Sequence, residues 1–142
     1  MTARKPKRKS PTARALEDLR KMGFVADVVE RRLPRCFITK DFFGCIDIIA
    51  ARPGIGILAV QATGGDGGNH AARIAKSIAE ARLRTWLLSG GRFEVWSYRL
   101  AGARGARKTY TLRRQEITLA DLPAEPTEPG EQTDLFGAKG AA

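Results

Sequence analysis

The chain has 142 residues, enough for one domain of ordinary size with extra length at each end. Its 43% hydrophobic content suffices for a packed core and excludes a chain disordered throughout. Residues 1–14 carry six Lys or Arg and no acid, residues 15–115 hold 18 basic and nine acidic side chains, and residues 116–142 hold six acids and one Lys.

A basic arm and a basic body favour a polyanionic partner, nucleic acid ahead of a membrane surface. Two cysteines, Cys36 and Cys45, with one His and no C-x-x-C spacing, argue against zinc and for free thiols in a reducing compartment. No run approaches membrane-spanning length, and residues 1–14 lack the apolar stretch of a signal peptide. A soluble, cytoplasmic protein is expected.

Residues 1–11 read as a basic disordered arm, with Pro6 and Pro11 and no periodicity. A helix is expected from Ser10 or Thr12 as N-cap, with Ala15, Leu16, Leu19 and Met22 as its apolar stripe and Gly23 as its stop. Phe24 to Leu33 reads as a strand closed by Pro34, and Thr39 to Gly44 as a loop containing Lys40 and Asp41. Gly44 to Ala50 and Ile57 to Thr63 are apolar, partly β-branched strands, and Arg52-Pro53-Gly54-Ile55-Gly56 between them supplies hairpin chemistry.

Gly64 to Gly68 is a flexible loop without the Gly-Lys-Ser/Thr of a Walker motif, and Asn69 is the expected N-cap of a long helix reaching Ser89. That helix is expected to bury Ile74, Ile78, Ala81 and Leu88, and Gly90-Gly91 to end it. Arg92 to Tyr98 alternates with period two and is a strand, followed by a Gly/Arg-rich loop and a last strand over 108–114. Trp86, Trp96 and Tyr98 are expected core aromatics, and His70 a capping or solvent-facing residue. The order helix–strand–strand–strand–helix–strand–strand gives an α/β sandwich over about residues 12–122, its mixed central sheet flanked by helices.

Chemistry concentrates at Asp47. A hairpin centred on Gly54 sets Asp47 directly opposite Gln61, with both side chains on one sheet face. An ionised carboxylate inside an apolar strand is costly unless a cation or hydrogen bonds compensate it, and a divalent metal answers that cost.

These residues resemble the PD-(D/E)XK nuclease superfamily, and within it archaeal Holliday junction resolvases and their phage-type relatives. The likeness covers about residues 12–114 and rests on Glu17, the run Phe43 to Ala50, Val60-Gln61-Ala62-Thr63 and the helix opening at Asn69. It implies a restriction endonuclease-like three-layer sandwich, DNA as partner, Mg²⁺ or Mn²⁺ as cofactor, and a possible homodimer. It also implies metal ligation by Asp47, the Gln61 amide oxygen and the Ala62 carbonyl, with Glu17 orienting a second ion or water.

Gln61 stands where the family has Glu, and Thr63 where it has Lys. Some relatives carry the Lys on the following helix, which points to Lys76 with Arg73 beside it. Phosphate contacts are expected from Arg73, Lys40 and the arm residues Arg4, Lys5, Lys7, Arg8 and Lys9. The two substitutions also support a rival reading, a degenerate member that binds DNA as an accessory module. A more distant rival is an RNA-binding protein that uses its basic arm.

Residues 123–142 form an acidic, Pro- and Gly-rich tail expected to be disordered. Within it, Gln132-Thr133-Asp134-Leu135-Phe136 resembles the bacterial sliding-clamp-binding pentapeptide. Leu135 and Phe136 would enter an apolar groove while Gln132 bonds at its rim.

Overall fold

Ser10 opens the first helix by accepting a hydrogen bond from the Ala13 amide through its Oγ, and Pro11 occupies the first turn, where its missing N–H is harmless. The computed structural model describes residues 8–35, 38–65 and 67–124. Helix α1 (Pro11–Lys21) buries Ala15 and Leu19, keeps Leu16 and Met22 half-buried, and hands over at Gly23, whose φ of +89° suits glycine.

Strands β1 (Val25–Val28), β2 (Arg31–Arg32), β3 (Thr39–Lys40), β4 (Ile48–Arg52) and β5 (Gly56–Gly64) follow. Helices α2 (Gly67–Ala79) and α3 (Ala81–Leu88) lead to β6 (Arg92–Ala101), β7 (Thr109–Ile117) and a short 3-10 turn, Leu119–Asp121. Five strands form one mixed sheet in the order β1-β4-β5-β6-β7, in which only β5 and β6 run parallel. β2 and β3 pair apart from it as a two-stranded ribbon.

Strand alternation sends Ile48, Ala50, Leu58, Val60, Ala62, Trp96 and Tyr98 to one face, against Ala15 and Leu19 of α1. Ala59, Phe93, Val95 and Ile117 face the other way, where Leu83 of α3 is fully buried and Ile74 and Ile78 of α2 pack half-buried. The protein is therefore an α/β sandwich with a five-stranded mixed sheet and three helices. Among the described residues, no helix is long and apolar enough to cross a membrane.

Several expected elements change. The strand expected over 24–33 stops at Val28, because Glu30-Arg31-Arg32 offers no apolar face to bury, and Arg31 and Arg32 pair instead with Lys40 and Thr39. The expected loop at Thr39 is thus partly strand. The strand expected from Gly44 starts only at Ile48: Phe43 and Gly44 take φ of +53° and +73°, turning the chain so that Cys45 and Ile46 drop into the core.

The long helix expected to Ser89 breaks at Glu80, whose backbone is extended and whose carboxylate accepts from the Arg82 amide. The break rotates the apolar stripe: Leu83 is buried, whereas Ala81 and Leu88 are exposed. Trp96 and Tyr98 are buried as expected, while Trp86 is half-buried and donates to the Arg92 carbonyl. The Cys45 thiol is free and buried, and burial pushes it up to about 12, so it stays protonated at neutral pH. Cys36 lies outside the described residues.

Gly44 links the turn to the helix break, since a Cβ there would collide with Glu80 Oε2 while the backbone also holds a positive φ. Gly44→Ala is expected to destabilise the protein by about 1–3 kcal/mol in chemical denaturation. Gly54→Ala keeps the φ strain but meets nothing within 4 Å, so its loss should be smaller. Equal losses would remove the packing argument.

Candidate metal centre

Two ladder registers bring three acids together. In the β2–β3 ribbon Arg31 pairs with Lys40, so the next rung sets Glu30 beside Asp41. In the main sheet Val28 pairs with Ile48, and the Val29 amide donates to the Asp47 carbonyl at 2.8 Å, which carries Glu30 to the flank of Asp47. One oxygen each from Glu30, Asp41 and Asp47 lies within 4.8 Å of the others.

Asp47 is 3% exposed. Its Oδ2 accepts from Gln61 Nε2 at 2.6 Å and from the Ala62 amide at 2.9 Å, which fixes the carboxylate's orientation. Burial, then the hydrogen bond to Asp41, pushes its pKa up to about 8, against the opposing pull of the Ala62 amide. Burial and the nearby Asp41 also raise Glu30. Crowded carboxylates that resist ionising gain most from a cation placed among them.

The donor set fits a hard divalent ion, because all three side chains offer carboxylate oxygens. Gln61 Oε1 is in addition buried with no hydrogen-bond partner among the described residues.

Cations surround this acidic centre. Lys76 of α2 reaches Asp41 Oδ2 at 3.1 Å. Lys40, Arg73 and Arg82 join Lys76, with Ala62 and Thr12, in lining a cavity of about 620 Å³ over Asp41 and Asp47. Arg82 is held by Glu80 at 2.9 Å, so the helix break also places a guanidinium at the cavity wall.

Asp47 and Gln61 thus stand opposite each other as the hairpin register requires, and Lys76, Arg73, Lys40 and Ala62 meet at the same cavity. The Gln61 amide, however, presents its nitrogen to Asp47, so the carboxylates beside Asp47 are Glu30 and Asp41. Thr63 is buried, and its hydroxyl contacts the Gly64 carbonyl at 3.5 Å rather than the cavity.

Glu17 lies elsewhere on α1, exposed and paired with Lys9 and Lys21, which hold its carboxyl below the usual range. Arg8 lines a different cavity. Arg4, Lys5, Lys7 and the motif residues Gln132, Asp134, Leu135 and Phe136 lie outside the described residues.

Sequence reasoning treated Asp41 as a plain loop residue and passed over Glu30 and Arg82. Their local context carries no periodicity or motif, and only the ribbon and the helix break join them to Asp47. His70 is a correction as well: it is 2% exposed, with Nδ1 bonded to Ser97 Oγ and Nε2 at 3.2 Å from Gln115 Oε1. A polar clamp between β6 and β7 therefore holds a ring expected to face solvent. No protein-family model, curated protein or solved structure matches this chain.

Proposed function

We propose that this protein is a DNA-binding, Mg²⁺-dependent endonuclease of restriction endonuclease-like fold, hydrolysing phosphodiesters in DNA, branched DNA included. One observation carries the reading: three mutually close carboxylates sit in a cavity whose lining also includes Lys40, Arg73, Lys76 and Arg82. An acidic centre suits a cation, and a basic wall suits the phosphates that bring the substrate to it.

Glu30, Asp41 and Asp47 would hold the ion, Mg²⁺ or Mn²⁺. Bound there, a divalent cation supplies Lewis-acid polarisation of a phosphoryl oxygen and a more acidic water. The remaining work belongs to the chain. Gln61 and Ala62 hold the Asp47 carboxylate in one orientation. Lys76 brings to the cavity the positive charge that Thr63 cannot provide, and offsets charge developing on the phosphate. Arg73 and Lys40 hold the DNA backbone on either side. The test is cleavage of branched and flapped DNA with and without Mg²⁺. Wild-type protein that cuts neither substrate with either metal overturns the proposal.

A second reading, a degenerate nuclease fold that only binds DNA, draws on Gln61, an amide where the resemblance calls for a carboxylate. Under it, DNA affinity is the same with and without divalent metal, and nothing is cut.

Recruitment to a bacterial sliding clamp through Gln132, Asp134, Leu135 and Phe136 belongs to the same proposal, since tethering raises local concentration near DNA without sequence specificity. A peptide of residues 123–142 is expected to bind the clamp, and Leu135→Ala with Phe136→Ala to abolish that binding. Equal binding by the two peptides removes the tether.

A further inference from the structure

Beside the acidic cavity, at the C-terminal ends of β5 and β6, lies a second cavity of about 390 Å³. Gly64 and Gly65 line it together with Arg8, Tyr98, Arg99, Leu100 and Tyr110. Among the described residues, no acidic side chain lines it, and neither Arg8 nor Arg99 is engaged by an acid. Tyr110 is 38% exposed, and the Arg14 guanidinium lies 3.6 Å from its ring centroid. That stacking props the ring from one side and leaves an aromatic surface bordering a cationic hollow.

We propose that this cavity binds an unpaired nucleotide of single-stranded DNA, its base stacked on Tyr110 and its phosphates met by Arg8 and Arg99. The proposal deepens the nuclease reading and rests on its DNA-binding half. Two physical points support it. Aromatic surface next to arginine is the combination that holds single strands without reading sequence. Bases within a duplex have both faces stacked, so only an unpaired base can offer a face to Tyr110.

β5 contributes to both cavities. Ala62 lines the acidic one and Gly64 the second, about 7 Å further along β5. One strand can therefore pass from Tyr110 to the carboxylates. The preferred substrate is then DNA with an unpaired segment next to the cleavage point, as at a flap or branch.

The experiment measures fluorescence anisotropy of labelled oligo(dT), a duplex of equal length and oligo(U) in EDTA, so that no cleavage occurs. Tyr110→Ala is expected to weaken oligo(dT) binding about tenfold or more, Tyr110→Phe less than twofold, and duplex binding by Tyr110→Ala less than twofold. Arg99→Glu, at an exposed position, should also weaken oligo(dT) binding and provides the test if Tyr110→Ala fails to fold.

Unchanged oligo(dT) affinity in both variants, or an equal loss on the duplex, overturns the proposal. Tighter binding of oligo(U) than of oligo(dT) reassigns the site to RNA and overturns it as a DNA site. Failure of the nuclease reading is separable: protein that binds oligo(dT) through Tyr110 but cuts nothing keeps this site and loses the enzyme. Protein that cuts branched DNA and ignores Tyr110 keeps the enzyme and loses this site.

Discussion

Asp47→Asn is expected to abolish Mg²⁺-dependent cleavage, by about 10³-fold or more in kcat/KM, while leaving the fold intact. The size follows from removing a charged group at the reacting centre, where even one preorganised electrostatic partner is worth about 10²–10³. The asparagine oxygen can still accept from Gln61 Nε2 and the Ala62 amide, as Asp47 Oδ2 does. Asp47→Ala is a blunter probe, because those two buried donors would lose their acceptor at about 1–3 kcal/mol each.

Lys76→Ala should lower kcat about 10²-fold with little change in KM, if its ammonium acts mainly on the transition state. Glu30→Gln and Asp41→Asn should fall with Asp47→Asn, since all three acids meet in one cluster. Glu17→Ala should cut as wild type does, its carboxylate being engaged by Lys9 and Lys21 on the surface of α1. Single-turnover kinetics on a flapped substrate read the whole series. Activity surviving in Asp47→Asn would end the assignment of the site to Asp47, and activity lost in Glu17→Ala would move the site to α1.

Thermal unfolding across pH gives the second large effect. The folded-state pKa of Asp47, about 8, lies above its ordinary value of 3.8, so between those values the native protein holds a proton that the unfolded chain has released. Stability from this group is therefore full below about pH 4 and falls as pH rises towards 8. The loss is on the order of several kcal/mol in the cation-free protein.

Asp47→Asn cannot ionise and should escape that decline, so its Tm advantage over wild type grows from pH 4 to pH 8. A divalent cation narrows the gap. At a hundredfold excess over its Kd it stabilises wild type by about 2.7 kcal/mol, roughly 10 °C in a domain of this length, and does little for the variant. Its affinity for wild type should rise with pH, because the proton on Asp47 must leave before the cation binds. Parallel Tm curves for the two proteins, or equal cation shifts, would show that Asp47 is an ordinary buried carboxylate.

Much of this was legible in the residues. The Ser10-Pro11 start of α1, the Gly54 hairpin, the period-two run of β6 and the stop at Gly90 are local signals, set by backbone preferences over a few residues. The pairing of Asp47 with Gln61 followed from the hairpin alone, because register within a tight turn is local. Lys76 reached the cavity because a helix after β5 starts near the sheet end where Asp47 lies.

The rest needed the folded chain. Glu30 and Asp41 are eleven residues apart in a charged, weakly patterned stretch, and only a ribbon off the main sheet makes them neighbours. Glu80 sits in a strongly helical run, and only its capping bond to Arg82, packed against Gly44, breaks that run. Helical propensity is a matter of tenths of a kcal/mol per residue, so a single tertiary contact outweighs it. The sequence by itself determined the central strands β5 and β6, the hairpin and the buried carboxylate at 47. The tertiary structure decided which acids and cations join it, because like charges are brought together only by long-range pairing that no short pattern encodes.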